Sequence, residues 1–395
     1  MEERKEYRIG ELYNVQNGLS KGGEFFGTGY PFVSFKTVFN NYFLPVSILD
    51  LAETSVVDRI KYSVKRGDIL ITRTSETAEE LGMSCVALSD MPNATYNGFC
   101  KRLRPCHNDI VLPEYIGYLF RSKAIRSIFN SLSSMTTRAS LRNDDLLGIK
   151  LSLPTINEQK KVASILRTID TKIELNRRIN DNLEQQAQLL FDNLIDASDW
   201  STTQFLSELS EINPPRKLSK GEYVPFVEMS NMPTSGSFPS RIDYKEYNGG
   251  MKFRNGDTIM ARITPCLENG KAAYVNFLKE NEIGFGSTEY IVLAPKKTIS
   301  SSFLYFLVRN KEFVDYAVKH MNGSSGRQRV SGDTIGNYQL PILDRNKLSI
   351  FIAIADRTLS KIRQNSFEIL NLAKQRDTLL PKLMSGELKI NDLNC

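Results

Sequence analysis

The chain has 395 residues, 41% hydrophobic and 24% charged, which is too long for one ordinary core and has the composition of a globular protein with two or more domains. No run of about 18 apolar residues is present, and the charged opening MEERKEYRIGELYNV lacks the apolar stretch of a signal peptide, so neither a membrane span nor export is expected. Five scattered cysteines argue against a disulfide framework and for a reducing, cytoplasmic setting, while a formal charge of +6 permits a polyanionic partner without requiring one.

Taken in chain order, the first 150 or so residues hold short β-type runs, YPFVSF (30–35), DILIT (68–72) and CVAL (85–88), punctuated by Gly, Asn and Pro. Apolar residues at three- and four-residue steps then predict a helix over 113–129. From Glu158 to Ile195 there is no Gly or Pro, and Thr155 with Glu158 looks like a capping box just after Pro154. Val162, Leu166, Ile169, Ile173, Ile179, Leu183, Leu190 and Leu194 follow the rhythm of a heptad seam. The β-type runs resume as VPFVEM (224–229), DTIMARI (257–263), KAAYV (271–275) and EYIVLA (289–294), followed by a predicted helix over 301–318. A second long helix carries Ile352, Ala355, Leu359, Ile362, Ile369, Leu372, Leu380 and Leu383.

This order is a duplication. KRGDILITR (65–73) and RNGDTIMAR (254–262) share Gly, Asp and Arg at an offset of 189, and TRASL (137–141) faces GRQRV (326–330) at the same offset. The Leu-Pro pairs at 153–154 and 340–341 lie 187 apart, and YPFVSF faces VPFVEM at a slightly larger offset. Units of about 190 residues are far too long for a stacked solenoid. The expectation is an α+β protein with two tandem pseudo-symmetric modules, joined by two long helices that pair with each other. Its domains are 1–152, a helical spacer over 153–197, a second module over 198–339, and a distal helical spacer over 340–395. Asn176 and Asn365, at offset 189, either interrupt the seam and fix its register or face solvent.

Catalytic constellations are missing from this pattern. There is no phosphate-binding loop of the G-x-x-x-x-G-K-[ST] type, no H-E-x-x-H, and only two histidines, His107 and His320. Cys100, Cys106 and His107 lack the paired spacing of a metal site, and no metal is expected. Asn213-Pro214-Pro215-Arg216 is similar to the N-P-P-aromatic motif of DNA amino-methyltransferases, but Arg216 stands where a stacking ring is needed. Two binding-sized modules on a stiff spacer, with no catalytic set, suggest a bivalent reader of duplex DNA. A stand-alone DNA adenine methyltransferase and a bivalent protein–protein adaptor are the alternatives.

Leu153-Pro154 followed by Asn157-Glu158-Gln159-Lys160-Lys161-Val162-Ala163 resembles the start of the central helix in specificity subunits of type I restriction–modification enzymes. RDTLLPKLMSGEL (376–388) resembles the close of their distal helix, and RGDIL (66–70) and TRASL are similar to patterns of their target-recognition domains. The likeness runs over essentially the whole chain, with one departure: Arg345-Asn346 stands where the first copy has Glu158-Gln159. It implies a non-catalytic subunit whose two target-recognition domains each bind half of a bipartite DNA site. It further implies that the long helices form an antiparallel coiled coil, which sets the spacer and docks two modification subunits, with two restriction subunits able to join. S-adenosylmethionine and ATP are then expected on those partners, and no cofactor on this chain. A helix of about 40 residues, ~60 Å long, sets an upper bound of about 18 base pairs between half-site centres.

Candidate DNA contacts are Lys36, Arg73, Arg138, Arg262, Arg327, Gln328 and Arg329. Residues shared by both copies should position the DNA backbone, and unshared ones should specify bases. On that logic Gln328 and Arg329, opposite Ala139 and Ser140, are the better specificity candidates, although a phosphate contact or a structural salt bridge is an equal reading for each arginine.

Overall fold

The computed structural model describes residues 4–75, 80–107, 109–132, 139–324 and 326–388. The chain is α+β and divides into two compact units, residues 1–171 with 372–395, and residues 172–371. Each unit is built on the same plan.

In the first unit an antiparallel sheet has the order Tyr13–Asn17, Cys100–Pro105, Ile69–Thr72, Ser84–Val86. The central strand Ile69–Thr72 is buried at all four positions, which is why it reads as a continuous apolar run and not as an alternation. A second sheet joins Leu51–Ala52, Phe26–Val33 and Thr95–Tyr96, the last pair parallel. The second unit repeats the first sheet as Ser210–Ile212, Tyr290–Pro295, Thr258–Ala261, Ala272–Tyr274. Its other sheet, in the order Asp243–Glu246, Tyr223–Val227, Ile283–Gly286, Lys252–Arg254, again has one parallel pair, Phe226 with Phe285. The expected matching of YPFVSF with VPFVEM follows from these pairs, since Phe32 and Phe226 occupy the same place.

The shared Gly-Asp phrase is a turn that launches the central strand. Asp68 N–H donates to the Lys65 carbonyl at 3.0 Å, and Lys65 N–H donates to Asp68 Oδ2 at 2.8 Å. Asp257 and Arg254 repeat both bonds at 3.1 and 2.8 Å. The third turn residue has φ +88° at Gly67 and +91° at Gly256, a region that a side chain disfavours. Both aspartates are almost fully buried, and each takes a guanidinium, from Arg104 in the first unit and from Arg216 in the second.

The single helices expected over 113–129 and 301–318 are each two helices. They are Pro113–Arg121 with Lys123–Ser131, and Ser301–Arg309 with Lys311–Lys319. Ser122 and Asn310 adopt extended backbone at the breaks, and their side chains accept from Ile125 N–H and Phe313 N–H. A capping side chain satisfies a free N–H of a new helix, so it restarts the helix where apolar periodicity alone sees continuity.

The long helices are Ile156–Asp196 and Arg345–Ser385, 41 residues each and offset by 189 at both ends. Within each unit they pack antiparallel. In the first unit Val162, Ala163 and Leu166 share a core with Leu380, Leu383 and Met384, and Arg376 Nη1 donates to Asp170 Oδ1 at 2.9 Å. In the second unit Ala187, Phe191 and Leu194 share a core with Phe351, Ala355 and Leu359, and the Phe191 ring lies 5.5 Å from that of Phe351.

Three sequence expectations are corrected here. Leu190 is 42% exposed while Phe191 is fully buried, so the seam shifts by one residue near the end of the first helix. An ideal helix drifts by about 20° per heptad, so a strict heptad reading loses phase over this length. The strand Lys150–Leu153 pairs with Lys5–Arg8, and Gln339–Pro341 pairs with Thr203–Phe205. Arg8 and Phe205 lead into equivalent short helices, Ile9–Leu12 and Leu206–Leu209, so Leu340 corresponds to Leu151, and the Leu-Pro pairs at offset 187 are not equivalent positions. Glu158-Gln159 therefore faces Lys347-Leu348 and not Arg345-Asn346. Gln159 is fully buried, its amide donating to the carbonyls of Ile110 and Pro154 and its oxygen accepting from Leu112 N–H. Leu348 packs apolar surface at that place in the other copy.

Candidate DNA-recognition rows at the strand exits

The central strand of each unit ends on an arginine, Arg73 or Arg262, and the ladder of backbone bonds continues past it on both sides. In the second unit Arg262 N–H donates to the Glu289 carbonyl at 3.0 Å, and its carbonyl accepts from Val330 N–H at 3.0 Å. Arg329 bridges Ile263 on one side and Asn322 on the other, with reciprocal 2.9 Å bonds to Asn322. Thr264 N–H donates to the Gln328 carbonyl at 3.1 Å. Glu289, Arg262 and Arg329 thus stand on three adjacent chains, in that order.

The first unit has the same row. Arg73 N–H donates to the Phe99 carbonyl at 2.9 Å, its carbonyl accepts from Leu141 N–H at 3.0 Å, and Thr74 pairs with Ser140. The start of the neighbouring strand is fixed alike in both units: Phe99 N–H donates to Asn97 Oδ1 at 2.7 Å, and Glu289 N–H to Ser287 Oγ at 3.1 Å. Position 99 therefore corresponds to 289, 73 to 262 and 140 to 329. The arginine is common, with its Nε buried and without a hydrogen-bond partner among the described residues in both copies, whereas the flanking positions differ.

The sequence-predicted residues divide accordingly. Arg73, Arg262, Gln328 and Arg329 lie in the rows, and Arg327 is exposed on the adjoining turn, its N–H bonded to the Ser324 carbonyl at 3.0 Å. Arg138 lies outside the described residues, and the side chains of Ala139 and Ser140 are likewise not described. Lys36 is exposed in the short helix Phe35–Asn40, and no contact among the described residues ties it to the row.

Arg329 is not free. Its Nε donates to both Glu289 oxygens at 2.9 Å and its Nη2 to Oε1 at 2.7 Å, while Nη1 donates to the Arg327 carbonyl at 3.0 Å. The bonds from Arg329 hold the Glu289 carboxyl below its ordinary range, so it stays ionised. Glu289 and Phe99 were absent from the sequence-derived candidates. Residues flanking a strand read as framework, and only the ladder shows them beside the arginine.

The two seam asparagines are buried, so neither faces solvent. Each is the middle residue of its 41-residue helix, with 20 residues on either side. Asn176 donates to Glu368 at 2.8 Å, and Asn365 donates to Asn180 at 2.8 Å. The Asn-Pro-Pro segment is structural. Asn213, at φ +52°, exchanges two bonds with Val292 at 2.7 and 2.9 Å, and Arg216 is engaged with Asp257.

Residues 1–185 and 198–347 match the family described as the type I restriction modification DNA specificity domain. The chain belongs to that family. Its members are DNA-recognition components of restriction–modification systems and not catalysts. The type I restriction enzyme MjaIX specificity subunit of Methanocaldococcus jannaschii is 26% identical, over 98% of this chain and 93% of its own length. The HindI specificity subunit of Haemophilus influenzae is 23% identical, over 98% and 100%. A type I restriction–modification S subunit from M. genitalium, solved by crystallography, has the same fold with a TM-score of 0.58 at 15% identity, covering 96% of both chains. Among the described residues no helix is long and apolar enough to cross a membrane.

Proposed function

We propose that this chain acts in the cytoplasm as the specificity subunit of a type I restriction–modification complex, each unit reading one half of a bipartite duplex target. The two long helices set the gap between the halves and dock two modification subunits, which carry S-adenosylmethionine and methylate adenine. Two restriction subunits join to add ATP-driven cleavage. The observation that carries the bipartite reading is the pair of strand-exit rows, one common arginine flanked by different side chains in each copy. A common arginine suits the uniform phosphate backbone, and differing neighbours suit two different half-sites.

Mapping methylated adenines in cells with and without the chain tests this. The expected result is a two-part motif with a fixed unspecified gap that disappears with the chain. Methylation that is unchanged by its removal rejects the reading.

A further inference from the structure

Arg329 has five N–H donors, and its contacts leave two of them. Glu289 takes the Nε donor and one on Nη2, and the Arg327 carbonyl takes one on Nη1. One donor on each terminal nitrogen therefore stays without a partner among the described residues. That complement is what guanine takes on its O6 and N7 in the major groove. A lone arginine loses rotameric freedom when it docks, and a carboxylate clamped on its Nε edge removes most of that loss beforehand.

The backbone under the pair is equally fixed. Arg329 is held by ladder bonds on both sides, and Glu289 by its bond from Arg262 N–H and its own bond to Ser287. In the other copy both members of the pair are replaced, by Phe99 and Ser140, while the arginine between them is kept. Two positions that change together around an unchanged one are the pattern of a reading unit. Phe99, 54% exposed, offers an apolar face in place of a carboxylate.

Resting on the specificity-subunit reading above, we propose that Glu289 and Arg329 form a single reading unit for a guanine in the second half-site. Arg329 makes the base contact and Glu289 is its positioning residue. Position 99 holds the corresponding place for the first half-site.

The test uses the full chain assembled with its modification subunits, with methylated adenines mapped at every genomic site for wild type, Arg329→Ala, Arg329→Lys and Glu289→Gln. A wild type that yields no two-part motif overturns the specificity-subunit reading itself. Given a wild-type motif, Arg329→Ala and Glu289→Gln are expected to relax preference at one and the same guanine by roughly ten- to a hundred-fold. The first half-site and the gap stay unchanged. Arg329→Lys keeps the charge but not the fork, so it relaxes the same base, whereas a phosphate contact would be largely rescued by lysine. Loss of methylation uniform over all sites, rescue by lysine, or relaxation at different bases in the two variants each overturns the proposal.

Discussion

Asp257 has only 2% of its side-chain surface exposed, and Arg216, which meets both its oxygens at 2.6 Å, has 7%. Removing one partner of such a pair strands the other charge, so Asp257→Ala is expected to destabilise the protein by about 3–5 kcal/mol in denaturant unfolding. A loss under about 1 kcal/mol contradicts a role for the Gly-Asp turn in holding the central strand. Glu184 gives the opposite kind of charge effect. Buried on the first long helix, with Tyr305 donating to it and Arg309 4.0 Å away, it has its carboxyl pushed up by desolvation above the ordinary value. The folded state therefore keeps that proton to higher pH than the unfolded chain, and stability falls as pH rises from the ordinary carboxylate range into the raised one. Glu184→Gln has no such ionisation, so its melting temperature should gain on wild type from about pH 4 to about pH 8. Equal differences at both pH values would refute this. The Gly-Asp phrase was legible as a repeat, but its partners were not, because Arg104 and Arg216 come from different elements in the two copies and no single offset relates them.

At the scale of elements, the phase of the first long helix is the sharpest case. Phe191 sits within 5.1 and 5.5 Å of the Phe303 and Phe351 rings, whereas Leu190 beside it faces outward. Phe191→Ala should cost about 3–5 kcal/mol and Leu190→Ala about 0.5 kcal/mol or less, measured by the same unfolding titration. Reversed effects restore the strict heptad. The helices themselves and the central strands were plain from periodicity and composition, which act through local backbone geometry, whereas the antiparallel direction came only with the family resemblance. What escaped was decided by capping side chains or by contacts between remote residues. Ser122 and Asn310 break helices that periodicity would continue. Gln159 is a polar residue on a buried face because three backbone groups need it. Glu289 becomes visible as a neighbour of Arg329 only once the chains are laid side by side, 40 residues apart in sequence.

For the whole molecule, the proposed ruler makes a quantitative claim. Deleting seven matched residues from each long helix shortens them by about 10 Å at 1.5 Å per residue. The unspecified gap of the methylated motif should then shrink by about three base pairs, at 3.4 Å each, with both half-sites intact. Sequencing of methylated sites decides it, and altered half-sites with the old gap defeat the claim. The equal lengths of the two helices, each with its buried asparagine at the midpoint, carry this one step further. An insertion in one helix alone slides Asn176 or Asn365 away from the polar groups it meets and leaves the other helix overhanging. On the proposed reading, moving the gap demands two coordinated edits in whole-heptad steps, whereas relabelling a letter of the target demands a point change at a strand exit. Among descendants of such a chain, the alphabet should wander quickly and the metre hardly at all.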